Sequence, residues 1–386
     1  MAFTGEQQAN EEDKLILSLP REKGWAVPCV YLFQDFWYPS HAIQGAINSQ
    51  KYFQAKDGDV VVASFPKSGT TWLKALTFAI VNRQHFSSQK NHPLLTSNPH
   101  QLVLFLDLVF SGDFHDPISN MAEPRLFGTH IPFPSLPKSI QESNCKVIYI
   151  CRNPFDTFIS SWYFFNKIKP ESSPKLTMED GFEMYCKGII GYGPWWNHML
   201  CYWKESIDRP NKVLFLKYED LKDDISFHVK RVAEFLGCPF TQDEEISGVI
   251  ECVINLSSFE KMKDLEVNKS GTVGFIRDIE TKYFFRKAEV GDWLNYFSLP
   301  MRETLSKIIE EKLSGSGSDN ALGDAEEVDL VEELEVTGLE GREDVRMGVR
   351  MDEGLEDVED GDEKKKKGKK DEKKRWKRKR KEKVKR

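Results

Sequence analysis

Apolar residues run unbroken through Val60, Val61, Val62 and Ala63, give way to Ser64-Phe-Pro-Lys-Ser-Gly-Thr-Thr-Trp72, and return at Leu73, Leu76, Ala79 and Ile80. A continuous apolar run predicts a strand covered on both faces, and a three-to-four spacing predicts a helix. The same alternation recurs. Cys145 to Ile150 is nearly all apolar, and a helix then opens at Asn153-Pro154 with Phe155, Phe158, Ile159 and Trp162 on one side. Helical patterns cover roughly 178–189 and 194–206. Lys212 to Leu216 reads as a second buried strand, followed by a helix from Ile225 to Leu236 that Gly237 and Pro239 stop. Between the first two strands, Asn91 to Pro137 is rich in Pro, Asn, Asp and aromatics and predicts loop with short elements. Strands alternating with helices predict an α/β fold: a single domain with a central parallel sheet flanked by helices. Binding sites in that architecture lie at the carboxyl ends of the strands.

Composition sets the limits of this domain. The chain has 386 residues, 40% of them hydrophobic, enough for a sizeable core. Its ending differs in kind. Asp319 to Glu363 carries 19 acidic and 3 basic residues, and Lys364 to Arg386 carries 17 basic and 3 acidic. Blocks so charged bury too little apolar surface to offset the entropy of ordering. The expected organisation is a flexible N-terminus (1–15), a folded domain (16–317), an acidic disordered segment (318–363) and a basic disordered tail (364–386). No apolar stretch reaches the length of a membrane span and the N-terminus lacks a signal-peptide core, so a cytoplasmic protein with no membrane partner is expected. The seven cysteines are scattered, without a Cys-x-x-Cys pair, which predicts reduced thiols and no metal framework.

The polar segment after the first strand carries the clearest chemistry. Backbone N–H groups at a helix N-terminus beside a glycine form a concave anion site. Lys67 adds a positive charge, and Ser68, Thr70 and Thr71 add hydroxyls around Gly69. A simple helix cap needs one hydroxyl and leaves Lys67 unexplained. The spacing is not that of the nucleoside-triphosphate loop, since the lysine precedes a single glycine. Arg152, directly after a strand, and Ser160, about two turns into the next helix, are spaced to meet one phosphate. Pairing of Arg152 with Asp156 is the structural alternative. His130 closes Phe127-Gly-Thr-His130 ahead of Pro132 and Pro134, where a structural histidine is the plainer reading.

The word Pro66-Lys-Ser-Gly-Thr-Thr-Trp72 resembles the 5′-phosphosulfate loop of cytosolic sulfotransferases, enzymes that move a sulfuryl group from 3′-phosphoadenosine 5′-phosphosulfate (PAPS) to a hydroxyl. Leu19-Pro-Arg-Glu-Lys-Gly-Trp25, Tyr31-Leu-Phe-Gln-Asp-Phe-Trp37 and Leu265-Glu-Val-Asn-Lys-Ser270 resemble the plant branch. Among these the chain is most similar to hydroxyjasmonate sulfotransferases, then to flavonol sulfotransferases. The resemblance implies that Lys67, Ser68, Gly69, Thr70, Thr71 and Trp72 hold the donor's phosphosulfate end. It gives Arg152 and Ser160 to the 3′-phosphate, with Arg286, Lys287 and Ala288 as a clamp over the same group. It gives Tyr218 and Ser257, Ser258, Phe259, Glu260, Lys261 and Met262 to the adenosine, and makes His130 and Lys67 catalytic. No metal is implied. Ala288 stands where the family usually has glycine; if the position needs a positive φ, alanine costs about 1 kcal/mol there.

These assignments imply in-line displacement at sulfur on a small hydroxylated acceptor, by a monomer or weak homodimer. The stretch from Leu294 to Glu303 matches the family's dimerisation motif poorly. Two other functions compete: donor binding without turnover, suggested by Ala288, and nucleic-acid binding through the basic tail, whose dense Lys and Arg suit phosphate backbones.

Overall fold

The computed structural model describes residues 14–86, 89–111, 118, 121–274 and 279–314. The acidic and basic segments expected over 318–386, and all but two residues of the expected flexible N-terminus, lie outside the described residues.

An antiparallel sheet opens the fold, with β1 (Arg21–Lys23), β2 (Cys29–Phe33) and β3 (Phe36–Pro39) in that order. Gln34 and Asp35 join β2 to β3 and both take positive φ, 50° and 68°, as a two-residue hairpin turn requires. The hairpin is not among the elements predicted from the sequence. Its turn is Gln-Asp rather than a glycine pair, so the hairpin carries no conspicuous sequence signal.

The central sheet contains β4 (Val60–Ser64), β5 (Leu104–Phe105), β6 (Leu126–Thr129), β7 (Lys146–Cys151) and β8 (Val213–Lys217). All neighbours are parallel, in the order β5-β6-β4-β7-β8. Strand periodicity divides its side chains between two cores. Val60, Val62, Ile148, Ile150, Leu214 and Leu216 face one, packed with Leu73, Leu76, Ile80, Val229 and Val253 from three helices. Val61, Ala63, Val147, Tyr149, Val213 and Phe215 face the other, with Phe158, Trp195 and Tyr202. Burial on both faces explains the unbroken apolar runs, each large side chain contributing about 1.5–3 kcal/mol.

β6 and β5 lie within the stretch expected to be mostly loop. They are four and two residues long, and β6 contains Gly128, so neither shows a periodicity. The predicted helices are present over Thr70–Asn82, Pro154–Ile168, Met178–Cys186, Trp195–Asp208 and Ile225–Phe235. Among the described residues no helix is long and apolar enough to cross a membrane, and no disulfide joins any of the seven cysteines.

Sheet register positions the site. Ala63 of β4 is level with Thr129 of β6 and Tyr149 of β7, and Cys151 of β7 with Lys217 of β8. The residues that leave these strands, Phe65, His130, Arg152 and Tyr218, therefore emerge along one rim. The chain crosses from one side of β4 to the other here, which makes its carboxyl end a topological switch point.

Candidate active site

The segment leaving β4 turns sharply into the Thr70–Asn82 helix. Lys67 takes φ 68° and Gly69 φ 109°. A Cβ at Gly69 would also lie 2.8 Å from the Tyr218 ring, so glycine is required twice over. The first N–H groups of the helix have no intrahelical partners and face outward. Two hydroxyls at this end are already engaged: Thr70 Oγ1 with Ser64 Oγ at 2.6 Å, and Thr71 Oγ1 with His100 Nε2 at 3.0 Å. Lys67 Nζ rests 3.9 Å from the centre of the Phe164 ring. It opens onto a cavity rather than onto bulk solvent, and burial lowers its ammonium to about 7, with Arg152 and Arg286 adding repulsion.

That cavity, about 800 Å³, runs from the Arg286 and Tyr218 end past Lys67 to His130 and on toward Trp25 and Val30. His130 is fixed at two points. Its Nδ1 lies 2.7 Å from the Ser64 carbonyl, which can only accept, so Nδ1 carries the proton and Nε2 keeps its lone pair. Its own carbonyl accepts from His198 Nε2 at 2.8 Å. The ring packs against Phe105 and Tyr192 with centroids 4.8 and 5.4 Å apart. Burial, reinforced by Lys74, His198 and Lys67, takes the imidazole down to about 3, against a weaker upward pull from the Ser64 hydrogen bond. His130 is therefore neutral across the physiological range.

At the other end, Arg152 is buried with its guanidinium 4.5 Å over the Tyr218 ring. Nη2 donates to the Glu289 carbonyl at 2.6 Å and stands 3.7 Å from Asp156, so the expected alternative partner is present as well. Asp156 also accepts the N–H groups of Gly291 and Trp293 at 2.8 and 3.1 Å, tying the 286–293 segment over the helix that carries Ser160. Asp292 holds Arg286 at 2.5 Å and Lys287 at 2.6 Å. The Nε atoms of Arg152 and Arg286 are both buried without a hydrogen-bond partner, as groups prepared for an anion would be.

One cavity thus holds an anion loop after a strand, an arginine pair at one end and a neutral histidine farther along. Residues 57–317 match the sulfotransferase domain family. Cytosolic sulfotransferase 15 of Arabidopsis thaliana is 52% identical over 312 residues, 80% of this chain and 86% of the relative. The chain belongs to the plant cytosolic sulfotransferase family. It is thus a PAPS-dependent sulfotransferase. A crystal structure of a candidate steroid sulphotransferase from Arabidopsis thaliana superposes with a TM-score of 0.64 at 41% identity, covering 82% of this chain and 98% of that one. A mouse sulfotransferase in complex with 3′-phosphoadenosine 5′-phosphate (PAP) shares the fold at 24% identity, TM-score 0.59, over 76% of this chain and 96% of that one.

Most residues that the sequence singled out in this sulfotransferase line the one cavity. They include His130, Lys67, Gly69, Thr70, Thr71 and Trp72. Arg152, Ser160, Tyr218, Arg286, Lys287 and Ala288 line it further along, with Ser258, Phe259, Glu260 and Met262. Trp72 and Tyr218 meet edge to face at 5.3 Å. Three residues do not line it. Ser68 is buried beneath the loop. Ser257 is buried and donates to the Val253 carbonyl of its own helix at 2.8 Å. Lys261 points to solvent, while its N–H caps onto Ser258 Oγ at 3.1 Å.

Sequence reasoning missed a buried polar group behind the loop: Lys74, His100, Asp107 and Tyr192. The Tyr192 hydroxyl donates to Asp107, whose carboxyl burial pushes up. Burial pulls Lys74 well below its ordinary value while Asp107 pushes back. One signal was available, since Lys74 is the single charged residue of the Thr70–Asn82 helix.

Ala288 does take the left-handed conformation, φ 56°, and its carbonyl accepts the Tyr218 hydroxyl at 3.1 Å. Replacing it with glycine removes about 1–2 kcal/mol of left-handed strain and returns part of that as unfolded-chain entropy. Ala288→Gly is expected to raise unfolding stability by about 0.5–1 kcal/mol in urea denaturation; an unchanged or lowered midpoint would count against strain at this position.

Proposed function

We propose that this enzyme transfers the sulfuryl group of PAPS to a hydroxyl of a small, largely apolar metabolite in the cytosol, hydroxyjasmonate first and a flavonoid second. The observation that carries the reading is that the His130 imidazole, with Nε2 free to accept, and the Lys67 ammonium line the same cavity. His130 Nε2 takes the proton of the acceptor hydroxyl as its oxygen bonds to sulfur. The bond from sulfur to the bridging oxygen breaks, and Lys67 with the loop N–H groups stabilises the negative charge left on the PAP phosphate. Arg152, Ser160, Arg286 and Lys287 hold the 3′-phosphate, where the arginine forks suit a dianion. Trp72, Tyr218 and Phe259 embrace the adenine.

The acceptor end supports a small apolar substrate: Trp25, Val27, Val30, Phe165 and Ile168 line it. Lys167, exposed at its rim, suits a carboxylate, which favours hydroxyjasmonate over an uncharged flavonoid. The test is transfer from 35S-labelled PAPS to hydroxyjasmonate, flavonols, sterols and desulfoglucosinolates. Labelled hydroxyjasmonate at the highest kcat/KM is expected. PAP binding without a labelled product on any acceptor would replace this reading with donor binding alone.

A further inference from the structure

Lys74 is fully buried, yet the fold makes deliberate room for it. Gly128 of β6 lies against its side chain, and a Cβ there would stand 2.2 Å from Lys74 Cε and 2.5 Å from Nζ. Phe105, paired with Gly128 across β5 and β6, presents its ring centre 3.0 Å from Nζ. Any side chain at 128 would expel the amine from this slot.

From there a chain of contacts leads to the donor loop. Lys74 Nζ is 3.3 Å from His100 Nδ1, and His100 Nε2 is 3.0 Å from Thr71 Oγ1. The His100 ring cannot swing away. It stacks on Phe105 at 5.3 Å, lies 4.4 Å from Phe284 and sits in a short helix whose Asn98 cap holds its N–H. His100 and Phe105 line the cavity and Lys74 stands behind them.

The hydrogen-bond directions follow from the donor inventory. Lys74 Nζ carries N–H groups whether charged or neutral and turns them to the Phe105 ring face and to His100, so Nδ1 of His100 accepts and Nε2 carries the proton. That proton is directed at Thr71 Oγ1, which fills an acceptor site of the hydroxyl and turns its own hydrogen outward into the cavity. We propose that Lys74 and His100 form a buried positioning relay that aims the Thr71 hydroxyl proton at the sulfuryl donor. The relay rests on the transfer reading above. Lys74 acts through His100 and Thr71 and touches no reacting atom, so it is a positioning residue. Without it the imidazole can take the other tautomer, and Thr71 then spends its proton on His100 instead of on the donor.

Two readouts on the full-length protein test this. In 15N-histidine NMR, His100 is expected as the Nε2–H tautomer in the wild type and as a mixture in Lys74→Met. In steady-state transfer with labelled PAPS, Lys74→Met is expected to lower kcat about 10- to 100-fold with the PAPS KM within about threefold, and to have no further effect when combined with Thr71→Val. His100→Phe, which keeps the stack between Phe105 and Phe284, is expected to lower kcat alike and serves if Lys74→Met does not fold. Thr71→Ser restores the hydroxyl and is expected to keep most of the rate. Retained kcat in both relay variants, losses that add to that of Thr71→Val, or a wild-type Nδ1–H tautomer would overturn the relay. A wild type that turns over no acceptor would instead overturn the transfer reading, and the tautomer would still decide how His100 is held.

Discussion

His130→Ala is expected to lower kcat by about 10²- to 10⁴-fold while PAP affinity changes less than about twofold. The split follows from geometry. His130 stands at the junction of the two halves of the cavity, its Nδ1 proton spent on Ser64 and its Nε2 lone pair the group available to a hydroxyl. The contacts proposed for the 3′-phosphate and adenine lie at Arg152, Arg286 and Tyr218, and the substitution leaves them in place. The pH profile carries a second expectation. Since burial holds the imidazole at about 3, acid does not charge His130 until well below its ordinary value, and kcat/KM should show no acid limb near pH 6.5 from this group. A base so weakened regains strength as the anionic sulfuryl group approaches, because negative charge favours the protonated ring. The sign for stability is the reverse of a salt-bridged histidine. The folded value lies below the unfolded one of about 6.5, so the unfolded chain binds the proton first, and stability falls as pH drops from about 6.5 toward 3. Steady-state rates of wild type and His130→Ala from pH 5 to 9, with calorimetric PAP titration, check the first two, and urea denaturation of both proteins below pH 7 checks the third. A variant within threefold of the wild-type kcat would remove His130 from the chemistry.

The parts of this site that could be read at the sheet share one property: each is a contiguous word leaving a strand. The loop after Ser64, His130 after Thr129, Arg152 after Cys151 and Tyr218 after Lys217 all obey it, and the register of the sheet then gathers them. Lys74 and His100 were not legible for the opposite reason. Their environment comes from three separate segments, namely the loop helix, the Pro99–Leu102 turn and β6, and only Gly128, a residue with no side chain, reveals the space between them. Ser257 and Lys261 were grouped with Ser258, Phe259 and Met262 because the whole segment resembles the family's, but helical rotation turns one into its own helix and the other to solvent. The positive φ at Ala288 was foreseeable as a condition, since a glycine is usual there, and the backbone meets that condition despite the methyl group.

Donor affinity is expected to fall with rising pH, by up to about tenfold per unit between pH 7.5 and 9, and Lys67→Met is expected to abolish that slope. Lys67 is crowded by Arg152 and Arg286 and screened from bulk water, which lowers its ammonium to about 7 in the free protein. A phosphate or phosphosulfate placed beside it favours the charged form and raises that value in the complex. Below 7 the lysine is charged in both states, so binding moves no proton. Above 7 the free protein has lost the proton and must take one up on binding, so affinity declines. PAP itself offers no compensation in this range, because its phosphates are already fully ionised above pH 7.5. The Phe164 ring, 3.9 Å from Nζ, attracts the ammonium and so opposes part of the lowering that burial causes. Calorimetric titration with PAP at several pH values, in two buffers of different ionisation enthalpy, measures both the slope and the proton taken up. Lys67→Met should bind PAP more weakly at pH 7, take up no proton and lose about 10²- to 10³-fold in kcat, since the charge that stabilises the departing phosphate is gone. A wild-type affinity flat from pH 7 to 9 would mean that Lys67 is charged before the donor arrives, and the anion site would then rest on the loop N–H groups and the two arginines.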